Sequence, residues 1–555
     1  MNSILKSSVL SGLMLFAAAV TPLQAAAPKP TVQQQLEALQ KALDAQAAQL
    51  TAQQQQIEAQ RAEIAALQAQ QGAAVKPDAA IAAQQAAIDK LTQNATQAKV
   101  AAQEQPKLSI AGNRMTVTSA DGRSSIALRA LVQADVAHYS QDSAGSLATD
   151  FRRGSVGGTA NREIDGARDL SDGAYFRRAR FGIEGVIART FNYKLLLELG
   201  GAGTEGPTRI NDAWIAYTGM APFTLQFGAF APPANLADGT TPDDLLFIER
   251  PSTSELQRAM GGADGRLGLA LRANGARWMG SLALTSRTVN DAEVYDSQTA
   301  VVGRIAGLAA TGTDFNVHIG ANGTYIVHPP DQGPSMTNGR YGLRFRERPE
   351  LRVDSTRFID TGTIDADHAS AMGVEFAANY KNWLLQAEDT WFSVERRAST
   401  LTNPRFSGFY VEGSWVLTGE SHRYNPTNGS YQSPRPFIPF DGHGGHGAWE
   451  VALRYSRADL NYHAGLAGLA PPTDGVRGGE QSITAAGLNW YPNPNLRFLL
   501  DFLHVNIDRL NPAGPGNLTP FGATPATPPT PPTPPIGVDI GQSFNAYALR
   551  SQYSF

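Results

Sequence analysis

Cysteine is absent from this 555-residue chain, which removes disulfide frameworks, thiolate metal sites and cysteine nucleophiles at once. After the N-terminus no run of about twenty apolar residues occurs, so no transmembrane helix is expected. A mature chain of this kind can cross a membrane only as a closed barrel, because helices and closed barrels alone satisfy every backbone group in lipid. Lysine is scarce. Of 46 basic residues nine are lysine and 37 arginine, and after Gln105 only Lys107, Lys194 and Lys381 remain. Arginine carries a permanent charge and a planar fork suited to phosphate and carboxylate. Genomic base composition in an Ala- and Gly-rich chain would give the same bias. A net charge of −4 argues against a general nucleic-acid binder. No G-x-S-x-G, Walker A or H-E-x-x-H pattern occurs, so no enzyme activity and no cofactor are expected. His443 and His446 sit in a Gly-rich loop with no cysteine nearby, a poor basis for a metal site.

What is present falls into three zones. Residues 1–25 read as a secretory signal: one positive charge at Lys6, an apolar core from Val9 to Val20, and small residues at Ala25, Ala26 and Ala27. Residues 31–105 are rich in Gln and Ala. Leu36, Leu43, Leu50, Ile57 and Ile64 recur every seven residues, with Leu39, Gln46, Gln53, Gln60 and Leu67 offset by three. That is the a/d seam of a coiled coil whose middle d positions are polar, and a lone amphipathic helix is the alternative. Gly72 and Pro77 break the seam before a shorter second piece containing Ile81, Ile88 and Leu91.

Residues 106–555 change to a period of two. Phe409, Val411, Gly413 and Trp415 alternate with Tyr410, Glu412, Ser414 and Val416, and Trp449, Val451, Leu453 and Tyr455 with Glu450, Ala452, Arg454 and Ser456. Met372–Tyr380 and Tyr193–Leu199 repeat the pattern. Side chains two apart share a strand face, so one face is apolar and edged by Trp or Tyr while the other is polar. The last strand ends the same way, with Tyr547, Leu549, Tyr553 and Phe555 on one parity. The expectation is an all-β transmembrane barrel of about 16 antiparallel strands, preceded by an α-helical coiled-coil segment. Residues 511–536, rich in Pro and Thr, would form a long loop before the last strand.

Function would rest on arginines. In Leu343-Arg344-Phe345-Arg346-Glu347-Arg348, an extended chain would stack Arg344, Arg346 and Arg348 on one face. Like charges at this spacing repel unless anions or carboxylates lie beside them, so the row is either an anion ladder or a rim strand paired with acids such as Glu350 and Asp354. In Phe176-Arg177-Arg178-Ala179-Arg180-Phe181, parity turns Arg178 and Arg180 to the lumen; Arg177 could join them only near a strand end or beside a bulge. Arg250 and Arg258 lie in the non-strand segment 231–262, long enough to fold inward and narrow a pore.

From about residue 170 onward the order of motifs resembles the phosphate- and polyphosphate-selective porin family. Phe176–Phe181 resembles its FRRAR strand, and Ala229-Phe230-Ala231-Pro232-Pro233 through Phe247-Ile248-Glu249-Arg250 the strand entering its constriction loop. Thr418-Gly419-Glu420, Gly447-Ala448-Trp449-Glu450 and Gly487-Leu488-Asn489-Trp490-Tyr491 are similar to its later signatures. The resemblance implies a trimeric 16-stranded barrel in the outer membrane, an inward third loop and arginines along an anion path, Arg177 and Arg178 among them. One departure is that the strictly phosphate-selective members add a pore lysine, and segment 231–262 has none. The expected partners are phosphate or other small anions, outer-membrane lipid, two further copies of the chain, and the cell wall if residues 31–105 reach it. The alternatives are a porin for other solutes and an envelope tether.

Overall fold

The computed structural model describes residues 54–65, 79–103, 105–111, 114–141, 170–201, 209–290, 295–334, 339–512 and 536–555. The signal segment 1–25, most of the heptad seam and nearly all of 511–536 lie outside them. Contacts divide the chain between Gln105 and Pro106 into two compact units.

In the first unit, Ala- and Gln-rich sequence of high helix propensity forms α1 over residues 54–65 and α2 (Ala79–Gln103). Ile57 and Ile64 of the seam are half-buried, as are Gln85, Ile88, Thr92 and Ala95, a stripe at three- and four-residue spacing on α2. Arg61 donates to Asp89 at 2.9 Å, so the two helices lie side by side, with Gly72 and Pro77 in the segment joining them.

The second unit begins with a hairpin of β1 (Lys107–Ala111) and β2 (Arg114–Thr118), the latter pairing with the start of β3. Sixteen strands follow. The first nine are β3 (Ser125–Ser140), β4 (Gly173–Ile187), β5 (Phe191–Glu198), β6 (Arg209–Met220), β7 (Phe223–Phe230), β8 (Arg266–Asn274), β9 (Trp278–Thr288), β10 (Thr299–Thr311) and β11 (Phe315–His328). The remaining seven are β12 (Ile364–Tyr380), β13 (Trp383–Arg396), β14 (Arg405–Val416), β15 (Ala448–Tyr462), β16 (Val476–Asn493), β17 (Leu496–Asp508) and β18 (Ser543–Ser554). Each is antiparallel to the next. The cylinder closes where β18 pairs with β3, and at that seam Phe555 and Ala130 exchange backbone hydrogen bonds at 3.1 Å. Closure leaves no free edge within the wall.

The alternation in the sequence becomes an inside and an outside. Leu453, Met372 and Ile305 are 68%, 66% and 65% exposed on the outer wall, while their inward neighbours Arg454, Ala371 and Arg304 are 4%, 1% and 3% exposed. A soluble β protein has the opposite arrangement. Tight turns such as 221–222, 381–382 and 494–495 gather at one end of the barrel, which also carries the β2–β3 link and Phe555. Long connections gather at the other end. One long connection breaks this rule: residues 417–447, between β14 and β15, leave from the short-turn end.

Candidate functional site

The segment 231–265 between β7 and β8 folds into the lumen, where it forms α3 (Leu236–Gly239) and α4 (Ser252–Gly261). Carboxylates on the wall and an adjoining loop satisfy backbone donors that the segment would otherwise bury unpaired. Glu388 on β13 accepts from Leu236 N and Ala237 N at 2.6 and 3.1 Å. Asp501 on β17 accepts from Ile248 N at 2.8 Å, and Glu350 from Ser252 N at 2.8 Å. Phe247 lies under the Arg454 guanidinium at 4.4 Å.

Arginines converge on this loop. The Glu249 carboxylate is met by Arg177 at 2.6 Å, Arg550 at 3.2 Å, Arg352 at 3.6 Å and Arg178 at 4.0 Å. Arg550 also pairs with Asp135 at 2.6 Å. Arg177 reaches the lumen because the β3–β4 register slips: Gln133 pairs with Arg178 and Ala134 with Phe176, leaving Arg177 as the extra residue of a bulge. Arg178 is 3% exposed, donates to Gln133 Oε1 at 2.7 Å, and its Nε has no hydrogen-bond partner among the described residues. Arg180 pairs with Glu198 at 2.7 Å and with Asp264 at 2.8 Å. Arg250 ties the loop to itself, donating to the carbonyls of Ala237 and Thr240 at 2.8 Å and lying 3.6 Å from Glu255. Arg258 holds Asp238 and Asp264, each at 2.5 Å. Burial alone would raise the loop carboxyls. Arg177 and Arg178 nevertheless hold Glu249 well below the usual range, and Arg258 and Arg352 bring Glu255 down to about 2.

The row Arg344–Arg346–Arg348 is placed differently from a wall strand facing the lumen. It lies in the long connection 329–363, where among the described residues only the short pieces Gly342–Leu343, Arg346–Glu347 and Ile359–Asp360 are extended, the last two paired with each other. Phe345 packs on Phe392 and Phe406 of the wall, ring centroids 5.8 Å away in both cases. That contact turns Arg344 and Arg346 outward to solvent, and Arg348 is buried. Arg344 forks onto Asp360, with Nε at 2.7 Å from Oδ1. The three arginines therefore share no common face of a strand.

From the opposite end, residues 418–433 of the β14–β15 connection also turn inward. Tyr424 meets His318 at 2.9 Å, the Asn428 and Gly429 carbonyls accept from Arg304 at 2.6 and 2.7 Å, and Ser430 Oγ donates to Gly239 O at 3.0 Å. The two inward segments touch at Gly239, where a Cβ would stand 2.9 Å from Asn428 O.

Beside the loop 231–265 two cavities of about 300 and 110 Å³ share Arg180, Asn211 and Asp264, and Asn428 of the second inward segment lines the larger. Their lining holds eight basic side chains (Arg129, Arg177, Arg180, Lys194, Arg209, Arg250, Arg258 and Arg272) against five acidic ones (Glu198, Asp212, Asp238, Asp243 and Asp264). Among the described residues Arg272 has no carboxylate partner, and its nearest acceptor is Thr427 O at 3.4 Å. Lys194 is 3.1 Å from Asp212. Of the arginines singled out from sequence, Arg177, Arg180, Arg250 and Arg258 line these cavities, and Arg178, Arg344, Arg346 and Arg348 line neither. Arg272 and Lys194 were legible by parity with Leu267–Leu271 and Tyr193–Leu197. The pairing of Glu249 and the inward turn at 418–433 had no local signal.

The sequence profile described as phosphate-selective porin O and P matches residues 156–517, well over half of the chain. The chain belongs to that family. It is an outer-membrane porin. Porin O of Pseudomonas aeruginosa is 23% identical over 363 residues, covering 62% of this chain and 78% of the relative. An uncharacterised protein of Caulobacter vibrioides is 27% identical over 344 residues, 60% of this chain, and the chain spans 63% of that relative's length. Among solved structures, the trimer form of OmpT from Vibrio cholerae aligns with a TM-score of 0.41 and 9% identity, over 78% of this chain and 99% of that one. The anion-selective porin of Comamonas acidovorans aligns with a TM-score of 0.41 and 10% identity, over 78% of this chain and all of that one.

Proposed function

We propose that this porin passes small anions, phosphate among them, through the cavities beside the inward loop 231–265. The observation that carries the reading is the surplus of basic over acidic side chains on the cavity walls, with Arg272 lacking a carboxylate partner among the described residues. Side chains that are already ion-paired contribute little field; the uncompensated ones concentrate anions and repel cations. Arginine forks offer a partly dehydrated anion charge-assisted hydrogen bonds in place of water, at several weak sites in succession so that it can leave. Arg344 and Arg346 at the mouth would add a screened, exposed field and little selectivity. The family description supports phosphate as one solute, and the assembly we propose is a homotrimer.

The test is the reversal potential of single channels in planar bilayers under potassium chloride and potassium phosphate gradients. The wild type is compared with an Arg209/Arg272→Ala pair and with an Arg344/Arg346→Ala pair. Anion selectivity, with chloride current blocked by phosphate and weakened in the first pair, is expected. Cation selectivity or none, unchanged by either pair, would leave a channel for other solutes and retire the anion reading.

A further inference from the structure

The inner half of the β14–β15 connection is accounted for by its contacts in the lumen. Its outer half, residues 434–447, is not. Arg435-Pro436-Phe437-Ile438-Pro439-Phe440 leaves Phe437, Ile438 and Phe440 71%, 55% and 51% exposed, three large apolar groups within four residues. Scattered apolar residues on a surface need no explanation, but a contiguous group does. Pro434, Pro436 and Pro439 restrict this stretch, and hydrogen bonds fix it: Phe440 N donates to Pro492 O at 2.7 Å and Gly447 N to Ile438 O at 3.0 Å. Asp441 Oδ1 accepts from His443 N and Gly445 N at 2.7 and 3.0 Å, closing the turn that follows.

The position of the segment says what covers it. The Phe440 ring stands edge-on to Trp490, centroids 5.4 Å apart. Trp490 in turn stacks on Trp449 and on Phe498, each at 5.5 Å. These three alternate with inward residues on β15, β16 and β17, so they lie on the outer wall at the short-turn end, where a barrel carries its interfacial aromatic girdle. Phe437, Ile438 and Phe440 continue that girdle beyond the last wall residues. Arg435, exposed at the start of the stretch, stands where a lipid phosphate would meet it.

We propose that residues 435–440 are a membrane-inserted wedge: Phe437, Ile438 and Phe440 enter the phospholipid leaflet at the short-turn end and hold the β14–β15 connection from outside. With its outer half fixed in lipid, the connection presents its inner half, residues 418–433, to the lumen at a fixed height. The proposal rests on the outer-membrane location and not on which solute passes.

The absence of cysteine makes the test direct. Phe437→Cys and Ile438→Cys each give a unique thiol for a nitroxide label in the full-length porin reconstituted in phospholipid vesicles. Leu453→Cys on the wall and His443→Cys on the Gly-rich turn serve as references. Collision with oxygen, which partitions into lipid, is compared with collision with a water-soluble nickel chelate. The wedge requires labels at 437 and 438 to favour oxygen, as at 453, while 443 favours the chelate. Chelate-favoured collisions at both positions would place the segment in water and overturn the proposal. Low collision with both reagents would overturn it equally, by showing that protein, such as a second copy of the chain, covers the patch. Retained resistance to dodecyl sulfate without heating confirms that each variant is folded, and the two label sites guard against failure of one.

Discussion

Glu249→Gln removes the one carboxylate on which four arginines converge. In the native loop the Glu249 oxygens lie 2.6, 3.2, 3.6 and 4.0 Å from Arg177, Arg550, Arg352 and Arg178, and the residue is 2% exposed. Breaking a buried ion pair by neutralising one partner costs about 3–5 kcal/mol. Glutamine keeps one acceptor oxygen, so the lower end, about 3 kcal/mol, is the figure to expect. The wall ladders are untouched, and the loss falls on the inward loop alone as easier local opening. The readout is hydrogen exchange of backbone amides in 245–256, which include the Ile248 N–H held by Asp501. A loss of about 3 kcal/mol is roughly two decades in the opening equilibrium, so these amides should exchange about a hundredfold faster while wall amides keep their rates. If exchange in 245–256 changes less than threefold in a folded barrel, the convergence on Glu249 does not hold the loop. The anchoring must then rest on Glu388, Asp501 and Glu350.

Asp264→Asn frees one guanidinium contact each on Arg180 and Arg258 and adds one net positive charge where the two cavities join; at about 6 Å through a wet lumen this is worth about 1 kcal/mol to an anion, roughly fivefold in permeability ratio by reversal potential. Gly239→Ala places a methyl group 2.6 Å from Arg304 Nη1 and 2.9 Å from Asn428 O, so one inward segment must shift; a destabilisation of about 1–3 kcal/mol, read as faster exchange in 423–432, is expected. The loop carboxyls Glu249 and Glu255, with depressed pKa values, contribute their full stabilisation above the ordinary carboxyl range and lose it progressively as pH falls toward 2, so the exchange protection they give to 245–256 should persist down to about pH 5 and fall away in stronger acid.

How much of this was legible in the sequence depended on whether the cause was local. The two-residue alternation is a local consequence of strand geometry, and it gave the outer faces of β5, β12, β14 and β15 and the closed barrel, while the expectation of about sixteen strands came from the length of chain available. The heptad count gave a helical segment, and the described part of it is two adjacent helices joined by Arg61 and Asp89. Parity was insufficient for Arg177, because a bulge depends on the register of β3 against β4, which neither strand states alone. The same limit applies to Arg344–Arg348: alternation inside a connection says which side chains share a face only if the chain is extended, and here Phe345 docking on Phe392 and Phe406 decided the orientation.

The lumen shows why arginine number alone is a poor guide to conduction. Arg304 with Glu375, Arg454 with Glu350 and Arg550 with Asp135 are nearly inaccessible pairs, and each serves to seat a loop or an inward hairpin against the wall. Buried guanidiniums of this kind are consumed in structure, because each is already matched by a carboxylate or by backbone carbonyls. A wide barrel lined by polar side chains has to fill its interior somehow, and ion-paired arginines holding two inward segments do so while leaving cavities beside the loop 231–265. On the anion reading proposed above, the charge an anion meets is set by the small remainder without a carboxylate partner among the described residues, Arg209 and Arg272, together with the shared pairs at Asp264. Substitutions in that remainder should change selectivity with little effect on folding, and substitutions among the matched pairs should do the reverse.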